Sequence, residues 1–549
     1  MERVRVLLIG WDGAEPALVE PWRAQGRLPV LASLADRGTA GRIRSTRPAV
    51  TPPAWTSLVT GLDPGRHGIY SFTHPGEGEY AETLVTAQER HGASVWRLLS
   101  DAGQRVGVFN LSLSYPPEPL EGFMFAGFDA PVLGPQMAYP PETFALARQA
   151  APGYIHERLE QKRDEACAGG LLRQARQQRD MLRALTRARP VQVLAVNFNT
   201  ADHVHHQAWP LRHSAEQVVG QGDSPLLEVY QGLDGILGDL LEEYAGEDTQ
   251  VLVVSDHGGG PLRGQVSLAR ALEEGGFLRR GAARHGGTTG GLRHAVGRLV
   301  PPGLKSRLWA WGGEARRLRA AHELRQRWVA EVDWTRTVAF PWGSSGFVQV
   351  NVRGRQPQGG VALGDRARVM AEVSAYLREL RDPATGQAVV GEILSGEETY
   401  RAPRVGYCPD LVVEGAQEEW GIMPRWEARG PWFAGGVWNI TLAGGDYRGV
   451  TACHRTWGLL VTAGPAVQRG AALPELGMTD LAPTLLYLAG VTVPEGLDGA
   501  VARSVWDTGE APRLVAGARD DAETQPRAAG YSREEQARVE ERLRDLGYM

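Results

Sequence analysis

The chain has 549 residues, a formal net charge of -5 and 42% apolar residues, too long for one simple core and too apolar for a disordered chain. So mild a charge excludes the broad basic field of a nucleic-acid-binding protein, and an anionic substrate must be drawn by a local feature. The three cysteines, Cys167, Cys408 and Cys453, stand far apart without a CxxC, which excludes a disulfide framework and fits a reducing compartment.

The opening MERVRVLLIGWDG is too short in its apolar run for a signal peptide, and no stretch reaches the roughly 18 apolar residues of a membrane span. A soluble, cytoplasmic protein is the expectation, with its oligomeric state open. Apolar, β-branched runs recur at 3–9, 105–111, 191–198, 250–256 and 458–464, with helical patterns at 88–102, 172–188 and 225–244 between them. Continuous apolar strands alternating with helices predict an α/β fold: a large, mostly parallel sheet covered by helices on both faces. The catalytic core is divided, residues 1–265 forming its first part and 441–508 its second. Residues 266–440 form an insertion or cap, with strands and loops over 335–440. Within it, 279–330 turns Gly- and Arg-rich and then basic with interspersed Trp and Leu. A helical segment near 290–330 is expected there: a solvated basic helix, a lid over substrate, or a membrane-surface contact. Residues 509–549 are a linker and a final helix, for which Ser532 and Glu535 form a capping box.

In such sheets ligands sit beyond the carboxyl ends of the strands, and the chemistry collects there. The run 3–9 leads into Asp12, and 191–198 into Asp202, His203, His205 and His206. The run 250–256 ends in Asp256 and His257, and His454 lies just before 458–464. Carboxylates and neutral imidazoles are the ligand set of zinc and similar divalent ions. Asp202 and His206, four apart, share one face of a helical turn. Thr51, ahead of Pro52 and Pro53, reads as the N-cap of a helix whose first free amide belongs to Ala54. It serves either as a cap alone or as a nucleophile at a helix N-terminus suited to phosphate. His67, His203 and His205 read as non-ligands, Trp209, Trp342 and Trp457 as core, Cys453 as a small buried filler and Asp410 as structural.

These motifs, GWDG (10–13), TPPAWTSLVTGLDPGRHGIY (51–70), DHVHH (202–206), SDHG (255–258), HRTWGLLVTAGP (454–465) and the tail 478–499, resemble the alkaline phosphatase superfamily. They look most like its type I phosphodiesterase and nucleotide pyrophosphatase branch. The resemblance implies two divalent metal ions, zinc by preference, with manganese or iron using the same ligands. It assigns one ion to Asp12, Asp256, His257 and Thr51, and the other to Asp202, His206 and His454. It also implies cleavage of a phosphodiester or pyrophosphate bond in a small-molecule or nucleotide-like phosphate ester, through a phosphothreonine on Thr51. The alternatives are a phosphomonoesterase or phosphonate hydrolase of the same superfamily, or a non-catalytic metal-binding descendant. One departure stands out. The branch carries Asn three residues after its nucleophile, and this chain has Ala54, so the donor to the phosphoryl oxygen is sought in the Thr51 or Ala54 amide, Asn197 or Asn199.

Overall fold

A computed structural model of the chain describes residues 4–76, 79–156, 165–210, 213–281, 329–403, 408–424, 432–435, 439–442, 445–448, 451–516 and 531–546. The helix expected near 290–330 and the linker after 516 fall almost wholly outside the described residues. The central sheet has eight strands: β1 (Val6–Trp11), β2 (Thr39–Arg44), β3 (Val106–Phe109), β4 (Gly122–Phe125), β5 (Ala138–Tyr139), β6 (Val193–Phe198), β7 (Gln250–Val254) and β8 (Trp457–Ala463). Their order across the sheet is β2-β8-β7-β1-β6-β3-β4-β5. The central run β7-β1-β6-β3-β4 is parallel; β8 and β5 join it antiparallel, and β2 closes one rim antiparallel to β8.

Strand geometry explains why the central runs are apolar throughout. Alternate side chains of a strand point to opposite faces, and here both faces are covered. Leu7, Ile9 and Trp11 of β1 pack into one core with helices Glu165–Ala188 and Pro225–Tyr244. Val6 and Leu8 pack into another with helices Thr51–Thr60, Val95–Asp101 and Leu481–Leu488. Parallel order also brings the C-terminal ends of β1, β6 and β7 to one edge, side by side.

Residues 339–415 form a separate antiparallel sheet, in the order Ala339–Trp342, Phe347–Val350, Leu411–Gly415, Val390–Ser395, with helix Arg366–Arg378 in its own core. Asp410 holds this sheet together. Its buried carboxylate accepts from Val350 N and pairs with Arg355 and Arg366. The last helix, Arg533–Leu546, is capped by Ser532 and Glu535 and buries Val539 and Leu543 against Phe72, Leu84 and Phe128. Among the described residues no helix is long and apolar enough to cross a membrane.

Candidate active site

Asp12 follows β1, and Gly13 after it turns at φ 73°, where a Cβ would lie 2.6 Å from the Asp202 Cβ. Only glycine lets the two acidic loops approach so closely. β6 runs into helix Thr200–Ala208, which displays Asp202 and His206 on one face, and the Asp202 amide donates to the Asp12 carbonyl at 3.0 Å.

Asp256 and His257 follow β7. The glycines after them form a strand, Gly258–Pro261, antiparallel to Ala452–Arg455, with Gly259 opposite His454. That pairing carries His454 across about two hundred residues of sequence to the His257 ring, on which it stacks at 3.8 Å. Glycine has poor strand propensity, which hides this strand from patterning. Space accounts for its composition. A Cβ at Gly259 would collide with the His205 ring, and one at Gly258 with Glu15 and the Trp457 carbonyl. Glu15, half-buried behind the strand, accepts from the Gly259 amide at 3.0 Å.

Two groups of donor atoms converge. Asp12 Oδ1 and Asp256 Oδ2 lie 3.9 and 3.4 Å from His257 Nε2. Asp202 Oδ1 lies 3.3 Å from His206 Nε2 and 3.5 Å from His454 Nε2, and the two imidazole nitrogens are 3.1 Å apart. His257 stands between the groups, since its ligating atom also lies within 4.8 Å of those of Asp202 and His454. Ligand atoms about 2.0–2.1 Å from a tetrahedral ion stand roughly 3.3 Å from one another, so these spacings fit a divalent cation in each group.

Hydrogen bonding supports the same fit. Asp12 Oδ2 accepts from Trp55 Nε1 (3.0 Å), Asn197 Nδ2 (3.1 Å) and Asn199 Nδ2 (2.9 Å). This fixes the carboxylate and leaves Oδ1 buried without a hydrogen-bond partner among the described residues, as is Asp256 Oδ2. His257 Nδ1 and His454 Nδ1 face the carbonyls of Gly258 and Ala49, each at 2.9 Å. A carbonyl only accepts, so Nδ1 carries the proton and Nε2 presents its lone pair.

The electrostatics are those of a site built for added positive charge. Burial, with the Asp202 charge adding, raises the Asp12 carboxyl to about 7. Burial and the charges of Asp12 and Asp202 raise Asp256 well above the carboxylate range. Burial opposes ionisation of Asp202 too, but His206 and His454 outweigh it and hold that carboxyl well below its ordinary value. Burial and His454 push His257 far down, keeping it neutral.

Thr51 is fully buried, and its Oγ1 lies 3.2 Å from His257 Nε2. It is not the N-cap. Val50, extended at φ -136° and ψ 147°, holds that position without a side-chain cap, and Thr51 is the first residue of the helix. Placed one position inward, its hydroxyl turns to His257 instead of closing the helix end. The Ala54 amide, expected to be free, donates to the Val50 carbonyl at 3.2 Å as an ordinary helical bond. Asn197 and Asn199 direct their amide nitrogens at Asp12. Neither the Ala54 amide nor these two side chains is therefore placed as a free phosphoryl donor.

The other residues singled out have structural surroundings. His67 meets Ser57 Oγ at 3.0 Å, and burial lowers its ring to about 3. His205 meets the Tyr230 hydroxyl at 3.1 Å, and His203 lies edge-on to Phe128. Trp209 and Trp342 are core side chains, while Trp457 carries Arg42 over its ring at 4.9 Å. Cys453 is only partly covered, its Sγ 2.9 Å from the Glu418 carbonyl. Sequence reading missed Trp55 and Glu15. Trp55 had a signal: four residues after Thr51, it shares that helix face. Glu15 had none, because its partner is a backbone amide 244 positions away.

A family model described as type I phosphodiesterase / nucleotide pyrophosphatase matches residues 6–436, a range that ends before His454. No curated protein matches the chain. Among solved structures, phosphonoacetate hydrolase from Sinorhizobium meliloti 1021, in complex with phosphonoformate, is similar at 15% identity and a TM-score of 0.50, over 89% of this chain and 96% of that one. Human ectonucleotide pyrophosphatase / phosphodiesterase 5 is similar at 12% identity and a TM-score of 0.48, over 92% of this chain and 100% of that one. The murine counterpart, an inactive form in complex with AMP, has the same values. At these identities the likeness is one of fold.

Proposed function

The chain belongs to the type I phosphodiesterase / nucleotide pyrophosphatase family and is a metal-dependent hydrolase of phosphate esters; from that premise we propose that it cleaves phosphodiester or pyrophosphate bonds with Thr51 as nucleophile. The observation that carries this reading is the convergence of two carboxylate–imidazole groups on His257, with the Thr51 hydroxyl 3.2 Å from its Nε2.

Asp12, Asp256 and His257, with Thr51, would hold one divalent cation, and Asp202, His206 and His454 the other; zinc suits this mixed donor set. Bound there, two such ions supply positive charge for the phosphoryl oxygens and lower the pKa of the Thr51 hydroxyl and of the attacking water. The protein's own part is positional. Trp55, Asn197 and Asn199 hold the Asp12 carboxylate, the Gly258 and Ala49 carbonyls fix two imidazole tautomers, and the first helical turn fixes Thr51. Thr51 Oγ1 gives up its proton to solvent and bonds to phosphorus as the ester oxygen leaves with its electron pair and takes a proton from solvent. Water then cleaves the phosphothreonine and restores the hydroxyl. With the Ala54 amide and both asparagines engaged elsewhere, the Thr51 amide is the remaining candidate donor to the phosphoryl oxygen, and metal charge would carry the rest.

The test is metal analysis together with turnover of bis(p-nitrophenyl) phosphate, p-nitrophenyl phosphate, an aryl phosphonate and an aryl sulfate. The reading expects two ions per chain and fastest turnover of the diester. Two bound ions with no turnover of any ester would instead support a non-catalytic descendant.

A further inference from the structure

A cavity of about 210 Å³ opens on the exposed side of the second donor group, where His206 and His454 form part of its wall. Pro48, Ala49 and Val50, the residues leading into Thr51, form another part. The remainder comes from the insertion and from core residues such as Phe72 and Leu262, with Trp420 and Phe72 supplying apolar surface and Glu414 and Glu418 supplying carboxylates. Thr51, Asp12, Asp256 and His257 are sealed, so the cavity is the side from which an ester group can approach. It is smaller than the roughly 300–1,000 Å³ of sites for drug-sized ligands, which suits a compact substituent.

Its charge is one-sided. Arg47 pairs with Glu414 at 2.9 Å, but is shared with Glu392 at 3.1 Å. Arg44, also nearby, is turned to Glu475 at 2.8 Å. Glu418 is exposed, and its Oε1 accepts from the Thr456 amide at 2.9 Å. Among the described residues the lining thus carries two carboxylates, Glu414 and Glu418, with Glu392 beside them and Arg47 and Arg44 opposing from outside the lining. No Lys or Arg lines the cavity among the described residues. The Glu414 carboxyl is raised chiefly by burial; Arg47 and Arg44 oppose the shift, and Glu392 and Glu418 add to it.

We propose that this acid-lined cavity selects the part of the substrate beyond the scissile phosphate, taking a compact phosphodiester whose second ester group is neutral or cationic and rejecting one that bears further phosphate or carboxylate. The inference rests on the phosphodiesterase reading and chooses between its two options, diesters over polyanionic pyrophosphates. The physical reason is a polarity reversal over a short distance. Two divalent ions against the three carboxylates Asp12, Asp202 and Asp256 would leave the loaded site net positive for the phosphate, while Glu414 and Glu418 lie where the rest of the ester must sit and repel like charge.

The test uses the metal-loaded full chain and three p-nitrophenyl phosphodiesters whose second group is ethyl, trimethylammonioethyl or carboxyethyl. The expected kcat/KM is highest for the cationic ester and about tenfold lower for the anionic one, with the gap narrowing as salt rises. Glu418→Gln shrinks the gap, and Glu418→Lys makes the anionic ester the better substrate. Calorimetric binding of the same esters to metal-loaded Thr51→Ala reads the preference without turnover. If the neutral ester is hydrolysed but the three esters are cleaved and bound alike, the charge selection is wrong and the phosphodiesterase reading survives. If no ester turns over, that reading fails, and the binding series alone decides whether the cavity selects by charge.

Discussion

Gly259→Ala tests how His454 reaches the site. A Cβ at Gly259 would lie 2.9 Å from His205 Cε1 and nearer still to its Nδ1. Ordinary contact begins near 3.4 Å, so relief needs a shift of about 0.5 Å at Cε1 and more than about 1 Å at Nδ1 in a close-packed interior. His205 cannot supply it cheaply. Its Nε2 meets the Tyr230 hydroxyl at 3.1 Å, and its ring is fixed between Trp209 and Tyr230, with centroids at 5.1 and 5.9 Å. The shift therefore falls on strand Gly258–Pro261, and through the Gly259–His454 register on His454. Overpacking of this kind costs about 1–3 kcal/mol, and a displacement near 1 Å at a reacting centre costs about 10²-fold in rate. The variant should fold, melt a few degrees lower, bind the second ion more weakly than the first and lose about 10²-fold in kcat on a p-nitrophenyl diester. Elemental analysis, thermal melting and steady-state kinetics read these separately. Wild-type kcat with two tightly held ions would refute the argument that this strand positions His454.

Thr51→Ala, which removes the hydroxyl beside His257, should lower kcat by at least ~10³ while Asp12, Asp256 and His257 still hold the first ion and the melting temperature stays near wild type; loss of the fold together with activity would make Thr51 a structural residue. Chelation should lower the melting temperature, because it leaves the buried Asp12, Asp256 and Asp202 carboxylates facing one another. At cation a hundredfold above Kd the lost stabilisation is about 2.7 kcal/mol per ion, and an unchanged melting curve would argue against resident metal. Asp129 gives a pH test away from the metals. Burial raises its carboxyl from 3.8 to about 6, so the folded chain binds the proton more tightly than the unfolded chain. Its contribution is then fully present below about pH 4 and is lost as pH rises to about 6, by at most ~3 kcal/mol. Asp129→Asn should flatten that part of the stability profile in urea titrations, and an unchanged slope would count against the assignment.

What was legible in the sequence follows from where each signal resides. β1, β6 and β7 could be read because both faces of the central sheet are buried, so Val6–Ile9 and Val193–Val196 had to be continuous apolar runs. β2, TAGRIR, pairs at the rim, exposes Arg42 and Arg44 and carries no such run, so it went unread. The donor residues were visible for a related reason: a carboxylate or imidazole directly after a buried strand is already at the sheet edge where parallel order gathers it. The misreadings concern backbone groups. Pro52 and Pro53 suit a helix capped at either Val50 or Thr51, and the Ala54 amide is engaged or free according to that single residue of register. The sequence carries no mark of it. Pairing of the Gly258–Pro261 strand is equally silent, because what fixes it is the space left beside His205 and Glu15. The cavity is harder again. Glu414 and Glu418 come from the insertion, far in sequence from the donor groups they adjoin, and Arg47, in the approach to Thr51, is drawn to their side. On the proposed reading, substrate preference would be encoded in how a peripheral sheet docks on the core, which single-chain patterning cannot reach, whereas the donor residues lie at strand ends where it can.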